Sequence, residues 1–147
     1  VRILLFVVAA LAAVGCTPVI GDSCAGSLDC SINNERVCDT TVRNGQCTVF
    51  NCEPDSCPDA ALCVRFREGA SQFTACMRSC EASSQCREGD GFRCALPDPM
   101  LEDRFYLDED GDGAPGPEET RVSATVVDVD PLRAGFCTGT LAQDFES

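Results

Sequence analysis

Two sets of residues in this chain of 147 have types and spacings that could do chemistry. One is the run "FYLDEDGDGAPGPEE", residues 105–119, where Asp108, Asp110 and Asp112 alternate ahead of Gly113 and Glu119 follows. Alternating carboxylates offer hard oxygen ligands to a divalent cation that takes about 6–8 of them, and a glycine permits the sharp turn around it. The other set is thirteen cysteines. Structural zinc sites combine closely spaced cysteines or mix them with histidine. This chain has no C-x-x-C and no His, so disulfides are the expected use of the thiols. Lys is absent too. Without His and Lys, the commonest general base and the Schiff-base nucleophile are both missing. With the thiols consumed in bridges, the sequence predicts a protein that is not an enzyme.

The acidic run fits the start of the calcium-loop pattern D-x-[DN]-x-[DN]-G. With Asp108 as the first position, Ala114 is the seventh, a carbonyl ligand, and Glu119 is the twelfth, where an EF-hand loop places its bidentate carboxylate. Pro115 and Pro117 occupy the back half, and "TRVSATVVDV" beyond them is strand-like, which argues against a paired EF-hand. The core "FYLDEDGDG" is more similar to isolated D-x-D-G-D-G calcium loops of bacterial surface proteins. It also resembles thrombospondin type 3 repeats and the F-Y-x-D-x-D-G-D-G metal-binding repeat of bacterial secreted proteins. That resemblance implies Ca²⁺ as a structural ion, held by Asp108, Asp110, Asp112, the Ala114 carbonyl and Glu119.

Thirteen is odd, and the unpaired cysteine is set apart by its surroundings. Arg2 is followed by an apolar stretch from Ile3 to Val14 and then by Gly15-Cys16. A spanning helix needs about 20 apolar residues. This stretch has instead the length of a signal-peptide core. Its end, "AVGC", resembles the lipobox of bacterial lipoproteins, cut before a cysteine that carries diacylglycerol and commonly palmitate. Ordinary cleavage at "ALA", residues 10–12, is the competing reading, and cysteine parity favours the lipoprotein. The resemblance implies residues 1–15 as signal peptide, Cys16 as the lipidated residue and 16–23 as lipid site and tether. Thr17 in place of Asp implies the outer membrane, with the chain facing the periplasm or the cell surface.

The other twelve cysteines contain a repeat. Cys24, Cys30 and Cys38 have the same separations as Cys80, Cys86 and Cys94. "SCAGSLDC" matches "SCEASSQC", and "GQCT" at Cys47 matches "GFCT" at Cys137. These read as two copies of one four-cysteine module, the second carrying an insertion of 34 residues between its third and fourth cysteines. Cys52, Cys57, Cys63 and Cys76 lie between them. Each group of four allows three pairings. First-to-third with second-to-fourth is favoured for the two modules, as in many small extracellular domains: Cys24–Cys38, Cys30–Cys47, Cys80–Cys94 and Cys86–Cys137.

The elements positioning these residues read as a small disulfide-rich fold, mainly short β-hairpins with little helix. Module A spans 24–51, the middle segment 52–79, and module B 80–147 with an acidic insertion at about 97–130. Asn44-Gly45 between β-branched residues signals a hairpin. "LCVRFREGASQFTAC" reads as a second, turning at 68–71 and bringing Cys63 near Cys76 for a cross-hairpin bridge. "RVSATVVDVDPLRAGFCTG" reads as a third, turning at Asp130-Pro131. "CPDAALC" suggests one helical turn.

A formal charge of −13 disfavours nucleic acid and anionic headgroups as partners. The expected function is therefore binding or structural: an envelope lipoprotein held to the membrane through Cys16, facing a protein or envelope partner. The alternative is a small secreted protease inhibitor, for which "CALPDPMLEDRF" is the segment to present.

Overall fold

The computed structural model describes residues 17–58, 60–68, 71–101, 104–129 and 135–139. The expected lipid site, Cys16, and the expected turn at Asp130-Pro131 lie outside them. The fold is disulfide-rich and built of antiparallel strands, with one α-turn among the described residues, α1 (Ser27–Cys30). A small ribbon pairs β1 (Val37–Asp39) with β2 (Gln46–Thr48). The remaining strands are β3 (Ala61–Glu68), β4 (Ser71–Cys80), β5 (Phe92–Pro97), β6 (Arg104–Leu107), β7 (Arg121–Val126) and β8 (Gly135–Gly139). They close into a barrel in the order β3-β4-β8-β5-β6-β7.

Strand periodicity explains what fills the barrel. Successive side chains point to opposite faces. Val64 and Phe66 of β3, Ala75 and Met77 of β4, Phe105 and Leu107 of β6 and Ala124 of β7 therefore share one core around fully buried Phe136. Phe105 meets Phe136 edge-on at 4.9 Å between ring centroids, and Phe66 approaches it at 5.7 Å. The opposite face of β3 and β4 carries Cys63 and Cys76, which pack with Ile20 and Cys52 in a second cluster. Ile20 is buried, and Gly21 N–H and Asp22 C=O both bond the backbone of Cys47. The segment expected to be a tether is thus docked on the fold from Ile20 onward.

All twelve framework cysteines are bridged. Modules A and B pair first-to-third and second-to-fourth, giving Cys24–Cys38, Cys30–Cys47, Cys80–Cys94 and Cys86–Cys137. The middle group does the same, with Cys52–Cys63 and Cys57–Cys76. The expected Cys63–Cys76 bridge does not form. In every group the third and fourth cysteines are direct cross-strand partners: Cys38 and Cys47, Cys63 and Cys76, Cys94 and Cys137. Each pair bonds back to the segment that crosses its ladder. The middle segment is therefore a third copy of the module, hidden in the sequence by altered spacing.

Two further expectations are corrected. β7 and β8 do not pair; β7 lies between β3 and β6, and β8 between β4 and β5. Both are interior strands of a closed sheet, each already flanked on two sides. The described residues of "CPDAALC" hold no helix: Ala61 N–H bonds Pro58 C=O, Ala60 takes a left-handed φ of 62°, and β3 begins at Ala61. The insertion supplies β6 and β7, the strands that close the barrel.

Two other expected hairpins form. β3 and β4 pair from Ala61↔Arg78 to Glu68↔Ser71. β1 and β2 pair through Asp39↔Gln46, and Asn44-Gly45 sits at the end of the connection with φ of 58° and 59°. That corner docks on module B: Arg87 donates to Gly45 C=O at 2.6 Å, and Asn44 donates to Asp90.

Candidate metal centre

The acidic loop leaves β6 at Leu107 and returns at Thr120, where Leu107 N–H bonds Thr120 C=O at 2.9 Å. Asp108 is held before the loop begins. Its N–H bonds Cys94 C=O, and its C=O accepts from the Ser83 hydroxyl at 2.6 Å. Ser83 accepts in turn from Cys94 N–H. The first acidic residue is thereby tied through buried Ser83 to the Cys80–Cys94 bridge.

Beyond Asp108 the backbone wraps inward. Gly111 and Gly113 take φ of 79° and 72°, a region glycine enters without steric cost. Gly113 N–H donates to Asp108 Oδ1, and Tyr106 reaches over the barrel rim to donate its hydroxyl to Gly113 C=O at 2.8 Å. One carboxylate oxygen each from Asp108, Asp110 and Glu119 then lies within 4.8 Å of the others.

The environment of these three groups is unbalanced. Asp108 is 1% exposed and has no ion pair among the described residues. Glu119 uses Oε2 to accept from Gly116 N–H at 2.6 Å, while its Oε1 is shielded from solvent with no hydrogen-bond partner among the described residues. A buried charge without a partner is costly. Like charges at this separation repel by about 3 kcal/mol even at an effective dielectric of ~20. Burial pushes the Tyr106 phenol above its ordinary value, and the negative charges of Asp108, Glu119, Asp112 and Asp98 push it the same way. A cation placed among the three carboxylates would offset their mutual repulsion and give Glu119 Oε1 a partner.

Of the five expected ligands, Asp108, Asp110 and Glu119 converge. Asp112 turns away and caps Ala114 N–H through Oδ1 at 2.7 Å, as Asp110 caps Asp112 N–H. The supports missed in the sequence are Ser83, which pins Asp108, and Thr120, whose hydroxyl bonds Glu109. Tyr106 was visible as part of "FYLDEDGDG", but its role depends on how the loop folds back. Three carboxylates supply only part of a calcium shell; backbone carbonyls and water would complete it.

The segment weighed as an inhibitory loop joins β5 to β6. Asp98 N–H bonds Arg104 C=O, the Asp98 carboxylate pairs with Arg121 Nε at 3.1 Å, and Met100 is 86% exposed. Among the described residues, no helix is long and apolar enough to cross a membrane. Comparison of the chain with known protein families, curated proteins and solved structures finds no match.

Proposed function

We propose that this protein is a lipid-anchored, extracytoplasmic binding or structural module of a bacterial envelope, with a barrel whose closing strands are braced by Ca²⁺. The observation that carries the calcium reading is buried Asp108, converging with Asp110 and Glu119 while Glu119 Oε1 lacks a partner among the described residues. The loop joins β6 to β7, so an ion there would brace the closure of the barrel and take no part in bond-making chemistry. Six disulfides support an oxidising compartment, where such bridges form and persist. The odd cysteine, Cys16, behind an apolar run supports lipid anchoring. More than one acyl chain gives stable attachment where a single chain does not.

Terbium is a luminescent stand-in for calcium, and Tyr106 is the chain's only tyrosine, with no Trp to compete. Excitation of Tyr106 should sensitise bound Tb³⁺, and Ca²⁺ should displace it with a dissociation constant of about 10⁻⁴–10⁻³ M, typical of extracellular sites. The variant Asp108→Asn/Glu119→Gln should lose the signal. Absence of sensitised emission from folded wild type, with no heat on calcium titration, rules the site out. Intact mass of protein extracted from membranes tests the anchor: cleavage before Cys16 and added acyl mass support it, and an unmodified Cys16 rejects it.

A further inference from the structure

The barrel has an open seam. β4 runs for ten residues but pairs with β8 only at Ser79↔Phe136 and Cys80↔Gly135. Beyond that point β8 continues to Gly139 along β5 alone, and the two strands part. Module A lies across the gap: Thr48 donates its hydroxyl to Cys76 C=O, Cys76 N–H bonds Val49 C=O, and Phe50 bridges to Ala75. Behind it a cavity of about 320 Å³ remains, reaching from the seam into the barrel interior. Its volume is at the lower end of the roughly 300–1,000 Å³ of small-molecule sites.

The walls are chiefly apolar, with Phe50, Phe66, Phe73 and Leu107 among them. Among the polar groups of that surface, two are left with weak partners or none among the described residues. The Gln46 side chain is buried to 4% exposure, and the hydrogen bond its amide nitrogen makes is to the Met77 sulfur, at 3.5 Å. A thioether is a weak acceptor, and an amide has two donors to place. Arg67 lines the mouth and makes no hydrogen bond or ion pair among the described residues. Arg121, the other cation of the lining, is held by Asp98. Asp39, the one carboxylate among the described lining residues, is turned to the Thr41 amide and hydroxyl.

We infer that the cavity is a binding site for a small amphipathic anion, a hydrocarbon body with a single carboxylate of the medium-chain fatty-acid kind. The apolar walls take the chain. Gln46 offers donors to an oxygen acceptor, and Arg67 offers the countercharge in a protein that is otherwise strongly acidic. The cavity is distinct from the carboxylate cluster, and the inference does not depend on calcium.

The chain's two methionines provide the test. Met77 lines the cavity, and Met100 is exposed on the β5–β6 connection. Full-chain protein labelled at the methionine methyls is titrated with decanoate, decanol and decylamine, and both methyl resonances are followed. Decanoate should shift Met77 saturably, leave Met100 in place, and bind more tightly than decanol or decylamine. Arg67→Ala, at an exposed position with no partner among the described residues to lose, should weaken decanoate by about tenfold, as removal of a charged hydrogen bond does, and leave decanol unchanged. Failure of all three to move Met77 overturns the site. Equal shifts at Met77 and Met100 overturn it as detergent-like adsorption. Equal binding of decanoate and decanol, unaffected by Arg67→Ala, overturns the assignment of an anion.

Discussion

Cys63 and Cys76 face each other directly across the β3–β4 ladder, and neither bonds the other. Cys63 bonds Cys52 and Cys76 bonds Cys57, so the segment 52–57 is strapped across the outer face of the hairpin by two bridges. The same relationship holds at Cys38 and Cys47 and at Cys94 and Cys137. The module is thus a two-strand ladder with its preceding segment laced to it twice.

Non-reducing peptide mapping should recover Cys52 linked to Cys63 and Cys57 linked to Cys76. A peptide joining Cys63 directly to Cys76 would falsify the threefold repeat. Replacing Cys57 and Cys76 together by Ala should destabilise the fold by roughly 2–4 kcal/mol, the usual range for one bridge.

Gly45 is fixed by close approach. Its φ is +59°, and a Cβ there would lie 2.1 Å from Cys24 C=O and 2.8 Å from Cys38 Sγ. The left-handed conformation alone costs a non-glycine residue roughly 1–3 kcal/mol. Gly45→Ala should therefore lower stability by at least about 2 kcal/mol in denaturant titration. Gly89→Ala, with nothing within 4 Å of the added methyl, should stay within about 0.5 kcal/mol of wild type. Equal effects at the two positions would show that the clash is relieved by backbone movement.

Asp128 joins the exit of β7 to the middle module. Its carboxylate accepts from Asp55 N–H at 2.8 Å and from Cys63 N–H at 3.0 Å, and Asp55 reciprocates by accepting from Val129 N–H. Hydrogen bonds to charged groups contribute roughly 1.5–3 kcal/mol. Asp128→Ala should cost about that much in chemical denaturation, and an unchanged midpoint would remove the clamp from the account of stability.

The Tyr106 phenol should ionise above the ordinary value of 10.0, read without interference as phenolate absorbance because the chain has one Tyr and no Trp. The sign follows from linkage. The fold favours the neutral phenol, so the unfolded chain releases its proton first, and stability falls as pH rises past 10.0. With a chelator present, so that no cation offsets the carboxylates, a titration midpoint at or below 10.0 contradicts the burial and negative field described at the rim.

Leu107, Thr120 and Arg121 line the cavity, and the first two are also the roots of the acidic loop. Ordering the loop should therefore order one wall of the cavity. Decanoate should bind more tightly in millimolar Ca²⁺ than without it, and Ca²⁺ should bind more tightly with decanoate by the same factor, as coupling of equilibria requires. Affinities unchanged in both directions would make the sites independent.

The cysteine spacings carried much of the fold. Cys24-Cys30-Cys38 and Cys80-Cys86-Cys94 revealed the repeat, and Gly45 and Gly135, each two residues before a fourth cysteine, explain why its ends look alike. Both glycines pack against a cysteine sulfur of a first-to-third bridge, where a Cβ has no room. The third copy is hidden by its altered cysteine spacing, and also because Thr74 stands where those glycines do, its hydroxyl bonding Cys52 C=O instead of leaving space. Periodicity identified β7 and β8 as strands, but periodicity says nothing about neighbours, and a turn signal between them suggested a hairpin that a closed sheet has no place for. In the acidic loop the ligand types were legible and the capping role of Asp112 was not, because alternating aspartates can turn either to a cation or to their own backbone. The cavity left no sequence signal, since it arises where two strands part and a distant ribbon covers the opening.

The Cys86–Cys137 bridge joins residues 51 apart and encloses the acidic loop and both closing strands. A single proteolytic cut between residues 95 and 136 therefore divides the polypeptide without dividing the molecule. The clipped protein would gain the mass of one water and run as one species until its bridges are reduced, when two fragments separate. Protruding Met100 and Leu101 can be severed in this way while every strand keeps its covalent tie to the rest.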